Sequence, residues 1–289
     1  MKRVHLIDAS SFIYRGFYAL PPLETKEGFP TGAIYGFLRA ILSIIKSERP
    51  EYMVVVFDYP APTKREEVYK EYKADRPSMP DPLRLQIPII KELLKLMGIP
   101  ILEREGYEAD DLIAILAKEL KKRGFEVRIY TPDKDMLQLV DDRITVVNPM
   151  NWGVFDKDKV REKFGVPPSK VADFLALVGD KIDNIQGVKG VGPKTAVKLI
   201  DTFGGVEGIL ERWEEFKSLY PEADREALKL SYYLVKPLLD AELDLNEKSL
   251  RLGTPNMKAL RNRLEELEMR SILKDLEKLS KTVSQGYLF

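Results

Sequence analysis

Apolar residues along the chain fall into two regimes. In the first half, short unbroken runs alternate with stretches of helical spacing. The runs VHLI near residue 5, MVVVF near 55, IPIL near 100 and VRIY near 128 read as buried strands, with ITVVN (144–148) as a fifth. Between them GAIYGFLRAILSIIKSE (32–48), PLRLQIPIIKELLKLM (82–97) and DDLIAILAKELKKRG (110–124) place apolar residues at helical intervals. Strands alternating with helices predict an α/β fold around a mostly parallel sheet. After about residue 158 the strand signal stops, and VREKFG, SKVADFLALVGD, PKTAVKLIDTFG and REALKLSYYLVKPLLD all read as helices. NMKALRNRLEELEMRSILKDLEKLSK reads as one long charged helix. The expected layout is an α/β core over 1–160, a helical region over 161–281 and a tail over 282–289.

The acids give this pattern its chemistry. VHLI ends in Asp8, MVVVF in Asp58, IPIL is followed by Glu108, Asp110 and Asp111, and VRIYTP by Asp133 and Asp135. In an open α/β sheet, the carboxyl ends of the strands are where ligands bind. Asp180 and Asp183 follow in LVGDKIDN. Each acid alone has a local explanation: a helix dipole for Glu108 to Asp111, an N-cap for Asp133, a turn for Asp58. All four strand ends carrying acids together is a different matter. Two carboxylates about 4 Å apart repel by about 4 kcal/mol at an effective dielectric of 20. Lys134 and Lys181 are too few to offset that, so divalent cations are the expected partners.

Composition narrows the ions. The chain has 289 residues, no cysteine and a single histidine, His5, inside an apolar run. Cys-ligated zinc, disulfides and multi-His sites are excluded. Oxygen ligands alone point to Mg²⁺ or Mn²⁺, and the number of acids to two or more ions. Two such ions about 3.5–4 Å apart suit attack of water on a phosphodiester. Lys+Arg and Asp+Glu both number 46, so any basic nucleic-acid surface must be balanced by this acidic cluster. No apolar stretch has membrane-spanning length and no secretory leader is visible, which predicts a cytoplasmic protein, with no sign of more than a monomer.

Two further segments suggest a grip on nucleic acid. In TKREEVYKEYKADR (63–76), drawn as a helix, Arg65, Tyr69, Tyr72 and Arg76 fall within roughly 60° of one another, with Lys73 beside them. Cations suit phosphates and tyrosines stack on unpaired bases, although a solvated helix laced by ion pairs such as Glu66–Lys70 has the same composition. GVKGVGPKTAVKLI (187–200) places Gly187, Gly190 and Gly192 before a helix opened by Pro193. Glycines admit a phosphate to backbone N–H groups at a helix N-terminus, which reads no base. Lys189, Lys194 and Lys198 add positive charge.

LIDASSFIYRGFYALPPL, TGAIYGF, VVVFD, REEVYKEYKADRPSMPDPLRLQIP, EGYEADDLIA, TPDKDMLQLV and LVGDKIDNIQGVKGVGPKTA resemble the 5′-nuclease domain of bacterial DNA polymerase I, within the flap endonuclease superfamily. The resemblance runs from residue 2 to about 280. It implies a PIN-like mostly parallel sheet with flanking helices, plus a helical C-terminal region with a helix-hairpin-helix (about 182–203), often holding K⁺. The implied activity is Mg²⁺-dependent cleavage of 5′-flap or branched DNA and of RNA primer–DNA junctions, in replication and repair. Asp8, Asp58, Glu108, Asp110 and Asp111 resemble a first metal group and Asp180 and Asp183 a second, with Asp133 and Asp135 between; Asp110 and Asp133 are also expected to be essential for catalysis. Residues about 60–82 resemble a mobile arch whose Tyr72, Lys73 and Arg76 engage the scissile phosphate or the threaded strand, with Arg15 assisting. Lys181, Ile182 and Gln186 stand where relatives carry small residues and Pro, leaving both acids in place. The final QGYLF resembles a sliding-clamp-binding peptide, through Gln285, Leu288 and Phe289. The rival readings are a non-catalytic DNA-binding adaptor of the same fold, a phosphatase acting on small molecules and a PIN-type ribonuclease.

Overall fold

A computed structural model of the chain describes residues 2–243 and 246–283, with 280–283 described by their backbone alone. Among the described residues, six strands form one sheet: β1 (Arg3–Asp8), β2 (Tyr52–Val56), β3 (Ile101–Leu102), β4 (Glu126–Tyr130), β5 (Ile144–Asn148) and β6 (Gly153–Phe155). Their spatial order is β3-β2-β1-β4-β5-β6. The first five run parallel, and β6 turns back antiparallel on β5. The fold is the expected α/β class with a mostly parallel sheet.

Strands buried on both faces explain the unbroken apolar runs. In β1, Leu6 enters the core on one face and Ile7 the core on the other, both fully buried. Helix α1 (Ala9–Ala19), α2 (Gly32–Glu48) and α5 (Ile87–Leu96) cover the Ile7 face. On the Leu6 face α6 (Ala109–Lys122) is joined by helices of the second half: α8 (Val171–Val178), α9 (Pro193–Phe203), α10 (Val206–Glu211), α11 (Trp213–Leu219) and α12 (Arg225–Val235). Short helices α3 (Lys64–Val68) and α4 (Asp81–Arg84), with α7 (Lys157–Phe164), complete the connections. The closing helices α13 (Met257–Glu266) and α14 (Arg270–Val283) return to the Ile7 face, where Leu260, Leu264 and Ile272 are fully buried. Among the described residues no helix is long and apolar enough to cross a membrane.

Several elements differ from the sequence pattern. The long closing helix is two helices. Glu268 takes a left-handed φ of 57°, and Met269 N–H reaches back to Leu264 O at 2.8 Å, a Schellman-type stop. The helix expected over 82–97 is α4 plus α5. Fully buried Gln86 sits at the break, accepting from Ile34 N–H and donating to Pro82 O, and Pro88 in the first turn of α5 offers no N–H to continue the ladder. The helix drawn through 63–76 ends at Val68. Tyr69 is extended and Lys70 to Asp75 continue as turns, with Lys73 at φ 56°. β6, three residues long, had no distinct apolar signal. Gln285, Leu288 and Phe289 lie outside the described residues.

Candidate active site

β1, β2 and β4 point their C-terminal ends to one rim. Asp8 ends β1 and caps α1, accepting from Ser11 N–H at 3.4 Å and from Thr131 Oγ1 at 2.9 Å. It is nearly buried. Burial, and then the neighbouring charge of Asp58, push its carboxyl up to about 6. Asp58, two residues beyond β2, is exposed and accepts from Ser10 Oγ at 2.6 Å and from Ala109 N–H at 2.8 Å. That second bond ties it to the first turn of α6, where the next acids stand.

Glu108 caps α6 and meets three partners: Lys73 Nζ at 2.7 Å, Arg65 Nη1 at 3.0 Å and Tyr72 Oη at 3.2 Å. Burial works against its charge, but Lys73 and Arg65 outweigh it and hold the carboxyl below its ordinary value. At Asp110 the balance is reversed, because Lys73 offsets only part of the cost. Burial, then Asp133 and Asp8, raise it well above the usual carboxylate range. Asp111 is fully buried and gripped on both oxygens by Arg65 at 2.8 Å.

The loop after β4 carries Asp133 and Asp135. Asp135 N–H donates to Asp133 Oδ1 at 2.8 Å. Burial, followed by repulsion from Asp133, drives Asp135 up to about 8, and its buried Oδ1 has no hydrogen-bond partner. Asp180 and Asp183 approach from the loop after α8. Asp180 meets Lys134 Nζ at 2.7 Å, and Asp183 meets Arg76. Carboxylate oxygens of Asp135, Asp180 and Asp183 all lie within 4.8 Å of one another.

This donor set fits a hard divalent cation. It is all oxygen, largely buried, short of cations and left with an orphan acceptor on Asp135, which a buried oxygen rarely tolerates. The structure brings together Asp8, Asp58, Glu108, Asp110, Asp133, Asp135, Asp180 and Asp183 as a connected rim. Asp111 stands behind that rim, fully buried and paired with Arg65.

The arch segment departs further from the sequence picture. Arg65, expected on a surface stripe, is 3% exposed, and Tyr72 is 4% exposed. The stripe therefore does not exist, because Arg65 and Tyr72 turn inward to Glu108 instead of stacking outward. Tyr69 remains half-exposed, and Lys73 and Arg76 face the acids from above. Lys73 N–H donates to Asp183 O at 3.2 Å and Asn184 Nδ2 to Glu71 O at 3.0 Å, joining the arch to the second acidic loop. Arg15 donates to Pro149 O on the β5–β6 turn. Sequence reasoning did not single out Thr131, Ser10 and Ser11, which fix Asp8 and Asp58. Their only signal was adjacency to the acids.

The glycine run splits into two roles. A Cβ on Gly187 would stand 2.3 Å from Val178 O, so this glycine is a packing requirement that closes the Asp180–Asp183 loop. Gly190, at φ 83°, and Gly192 have nothing within 4 Å of an added Cβ. Their backbone is open, and Gly192 caps α9 with no side-chain cap before Pro193. Lys194 is exposed beside them, while Lys189 pairs with Glu222.

Comparison with known proteins follows the same lines. The family described as "5'-3' exonuclease, N-terminal resolvase-like domain" matches residues 3–165, and "5'-3' exonuclease, C-terminal SAM fold" matches 166–258. A protein named 5'-3' exonuclease from Aquifex aeolicus is 55% identical over 289 residues, the full length of both chains. DNA polymerase I of Pseudomonas aeruginosa is 45% identical over 97% of this chain, and the thermostable DNA polymerase I of Thermus aquaticus 42% identical over 94%. The chain spans 32% of the length of each polymerase. The fold is shared with the T5 D15 protein co-crystallized with metal ions (TM-score 0.67, 20% identity, 95% of this chain and 99% of that one). It is shared equally with flap endonuclease-1 from Methanococcus jannaschii (TM-score 0.66, 18% identity, 98% and 93%).

Proposed function

The chain belongs to the 5′-3′ exonuclease family, and from that membership we propose that it is a structure-specific nuclease hydrolysing phosphodiesters at 5′ flaps and branches in DNA. The observation that carries the reading is the convergence of Asp135, Asp180 and Asp183 within 4.8 Å, on a rim faced by Lys73 and Arg76. Asp8, Asp58, Glu108 and Asp110 form one ligand group for Mg²⁺ or Mn²⁺. Asp180 and Asp183 form another, and Asp133 and Asp135 stand between them. Held by these residues, divalent ions would offset carboxylate charge and supply Lewis-acid polarisation of a phosphate oxygen.

The protein's own groups do the rest. Lys73 and Arg76 stand where a phosphate crossing the rim must pass, and stabilise the charge that grows on its oxygens. Tyr72, through its hydroxyl on Glu108, keeps that carboxylate oriented rather than touching the strand. Half-exposed Tyr69 and Arg15 are the further proposed contacts for the displaced strand. Gly190, Gly192 and Lys194 offer backbone N–H groups and charge to duplex phosphates, with K⁺ as the ion suited to the hairpin carbonyls. The family resemblance favours RNA primer–DNA junctions as natural substrates and the cytoplasm, at the nucleoid, as the place of action. The terminal QGYLF, through Gln285, Leu288 and Phe289, is the proposed ligand of a sliding clamp. Deletion of residues 285–289 is expected to abolish clamp pull-down and leave cleavage of free flaps unchanged.

The direct assay compares a labelled 5′-flap duplex with single-stranded RNA and with a generic phosphate ester, each with Mg²⁺. Cleavage confined to the flap substrate near its junction supports the reading. Cleavage of RNA alone, or of the ester alone, replaces it.

A further inference from the structure

We propose that Asp111 holds no ion, and that Arg65 and Asp111 form a buried latch by which the end of α12 sets the position of Glu108 and Lys73. This rests on the nuclease reading for its kinetic part but not for its metal part.

The hydrogen bonds of the pair are complete. Asp111 Oδ1 accepts from Arg65 Nη2 at 2.8 Å and from Leu238 N–H at 2.7 Å. Its Oδ2 accepts from Arg65 Nη1 at 2.8 Å and from Glu108 N–H at 3.1 Å. A carboxylate has about four lone-pair sites, and all are taken. The side chain is fully buried, so an ion could reach it only by displacing Arg65. The contrast with Asp135, whose buried Oδ1 has no partner, is direct.

Arg65 is equally committed. Beyond Asp111 it donates from Nη1 to Glu108 at 3.0 Å, from Nε to Leu234 O at 3.1 Å and from Nη2 to Lys236 O at 2.7 Å. Leu234 lies in the last turn of α12 and Lys236 just past it, where helix carbonyls lack partners and favour a cation. One guanidinium thus joins the arch helix α3, the first turn of α6 and the end of α12. Glu108 is the shared element, since its other oxygen meets Lys73 at 2.7 Å. α12 packs against α8, whose end leads to Asp180 and Asp183. Seating of the helical half is therefore communicated to Glu108 through Arg65. Arginine is needed because only its planar fork makes these bonds together.

Asp111→Asn, Arg65→Gln, Arg65→Lys and the double variant Arg65→Gln/Asp111→Asn test the latch, with Asp135→Asn as the control for a ligand. In Mn²⁺ titrations Asp111→Asn is expected to keep the wild-type number of ions, with any weakening confined to the loss of an outer-shell support, while Asp135→Asn loses an ion. On a 5′-flap duplex, well below each variant's melting temperature, Arg65→Gln is expected to lower kcat by about 10- to 100-fold with KM within about threefold. Arg65→Lys is expected to recover part of that loss, because it keeps the charge if not the fork. The double variant is expected to fall no further than the worse single one, as coupled partners do. Loss of an ion in Asp111→Asn overturns the metal claim. Unchanged kcat in Arg65→Gln, or losses that multiply in the double variant, overturn the latch. Absence of any cleavage by the wild type would count against the nuclease reading, while the Mn²⁺ titration still decides the role of Asp111.

Discussion

Lys73 Nζ stands 2.7 Å from Glu108 Oε1. The arch thus delivers its cation onto a carboxylate of the rim rather than into solvent. Lys73 N–H also donates to Asp183 O, so backbone and side chain of one residue join both acidic groups. Lys73→Ala is expected to lower kcat on a flap by about 100- to 1,000-fold, the scale for removing a preorganised charge stabiliser. The dissociation constant for the flap is expected to change by less than about threefold, since one phosphate contact is a small part of duplex affinity. Single-turnover rates beside binding isotherms separate the two. Equal losses in both would make Lys73 an ordinary phosphate contact.

Asp135 is held against its electrostatic preference. Burial and Asp133 raise it to about 8, and one oxygen has no partner. Asp135→Asn removes a charge that the metal-free fold resists. It is expected to stabilise the metal-free protein by about 1 kcal/mol, within the usual range for relieving such a site, while cleavage falls below detection. Thermal melting in EDTA, paired with a flap assay, checks both halves. A variant that melts lower than wild type in EDTA would contradict the repulsion picture.

The same repulsion gives a pH dependence of known sign. Asp8 and Asp135 have folded values of about 6 and about 8, above their ordinary 3.8. Between about pH 4 and about pH 8 the metal-free folded state keeps protons that the unfolded chain has lost. These two groups therefore contribute stability that is present below their ordinary value and lost as pH rises through the folded values. Divalent ions need the deprotonated carboxylates, so they compete with those protons and stabilise least where the protons are held and most once they are lost. The gap in melting temperature between Mn²⁺ and EDTA samples is expected to be small near pH 5 and largest near pH 8. Saturation at about 100 times the dissociation constant corresponds to about 2.7 kcal/mol. A gap constant over that range would contradict this origin.

The glycine-rich run separates packing from binding. Gly187→Ala puts a methyl group 2.3 Å from Val178 O and is expected to lower the melting temperature and disorganise the Asp180–Asp183 loop. Gly192→Ala meets nothing within 4 Å and is expected to fold normally. Its methyl group would, however, stand between a phosphate and the N-terminus of α9, weakening duplex binding several-fold with a reduced salt slope. Circular dichroism and salt-titrated binding distinguish the two. Wild-type affinity in Gly192→Ala would remove this hairpin from the DNA interface.

The legible parts of this fold were those written in apolar periodicity. Parallel strands buried on both sides are continuous runs, so β1, β2, β4 and β5 were visible, as were the acids that follow β1, β2, β3 and β4. The fate of Arg65 was not. A buried cation satisfied by Asp111, Glu108 and two carbonyls has the same one-dimensional pattern as a solvated one, and the stripe drawn through Arg65, Tyr69, Tyr72 and Arg76 followed from assuming an unbroken helix. Left-handed turns at Lys73 and Glu268 carry no glycine to announce them. They accompany contacts, one to Asp183 far away in sequence and one to nearby Leu264, that composition does not reveal. Nor does spacing separate Gly187 from Gly192, because only packing against Val178 tells them apart.

The most direct measurement is anomalous diffraction from crystals of the protein grown with Mn²⁺. The expected result is a peak bounded by Asp135, Asp180 and Asp183, with a second against Asp8, Glu108 and Asp110, and none in contact with Asp111. A rim free of anomalous density at saturating Mn²⁺ would contradict the central claim that these carboxylates are gathered to hold divalent ions.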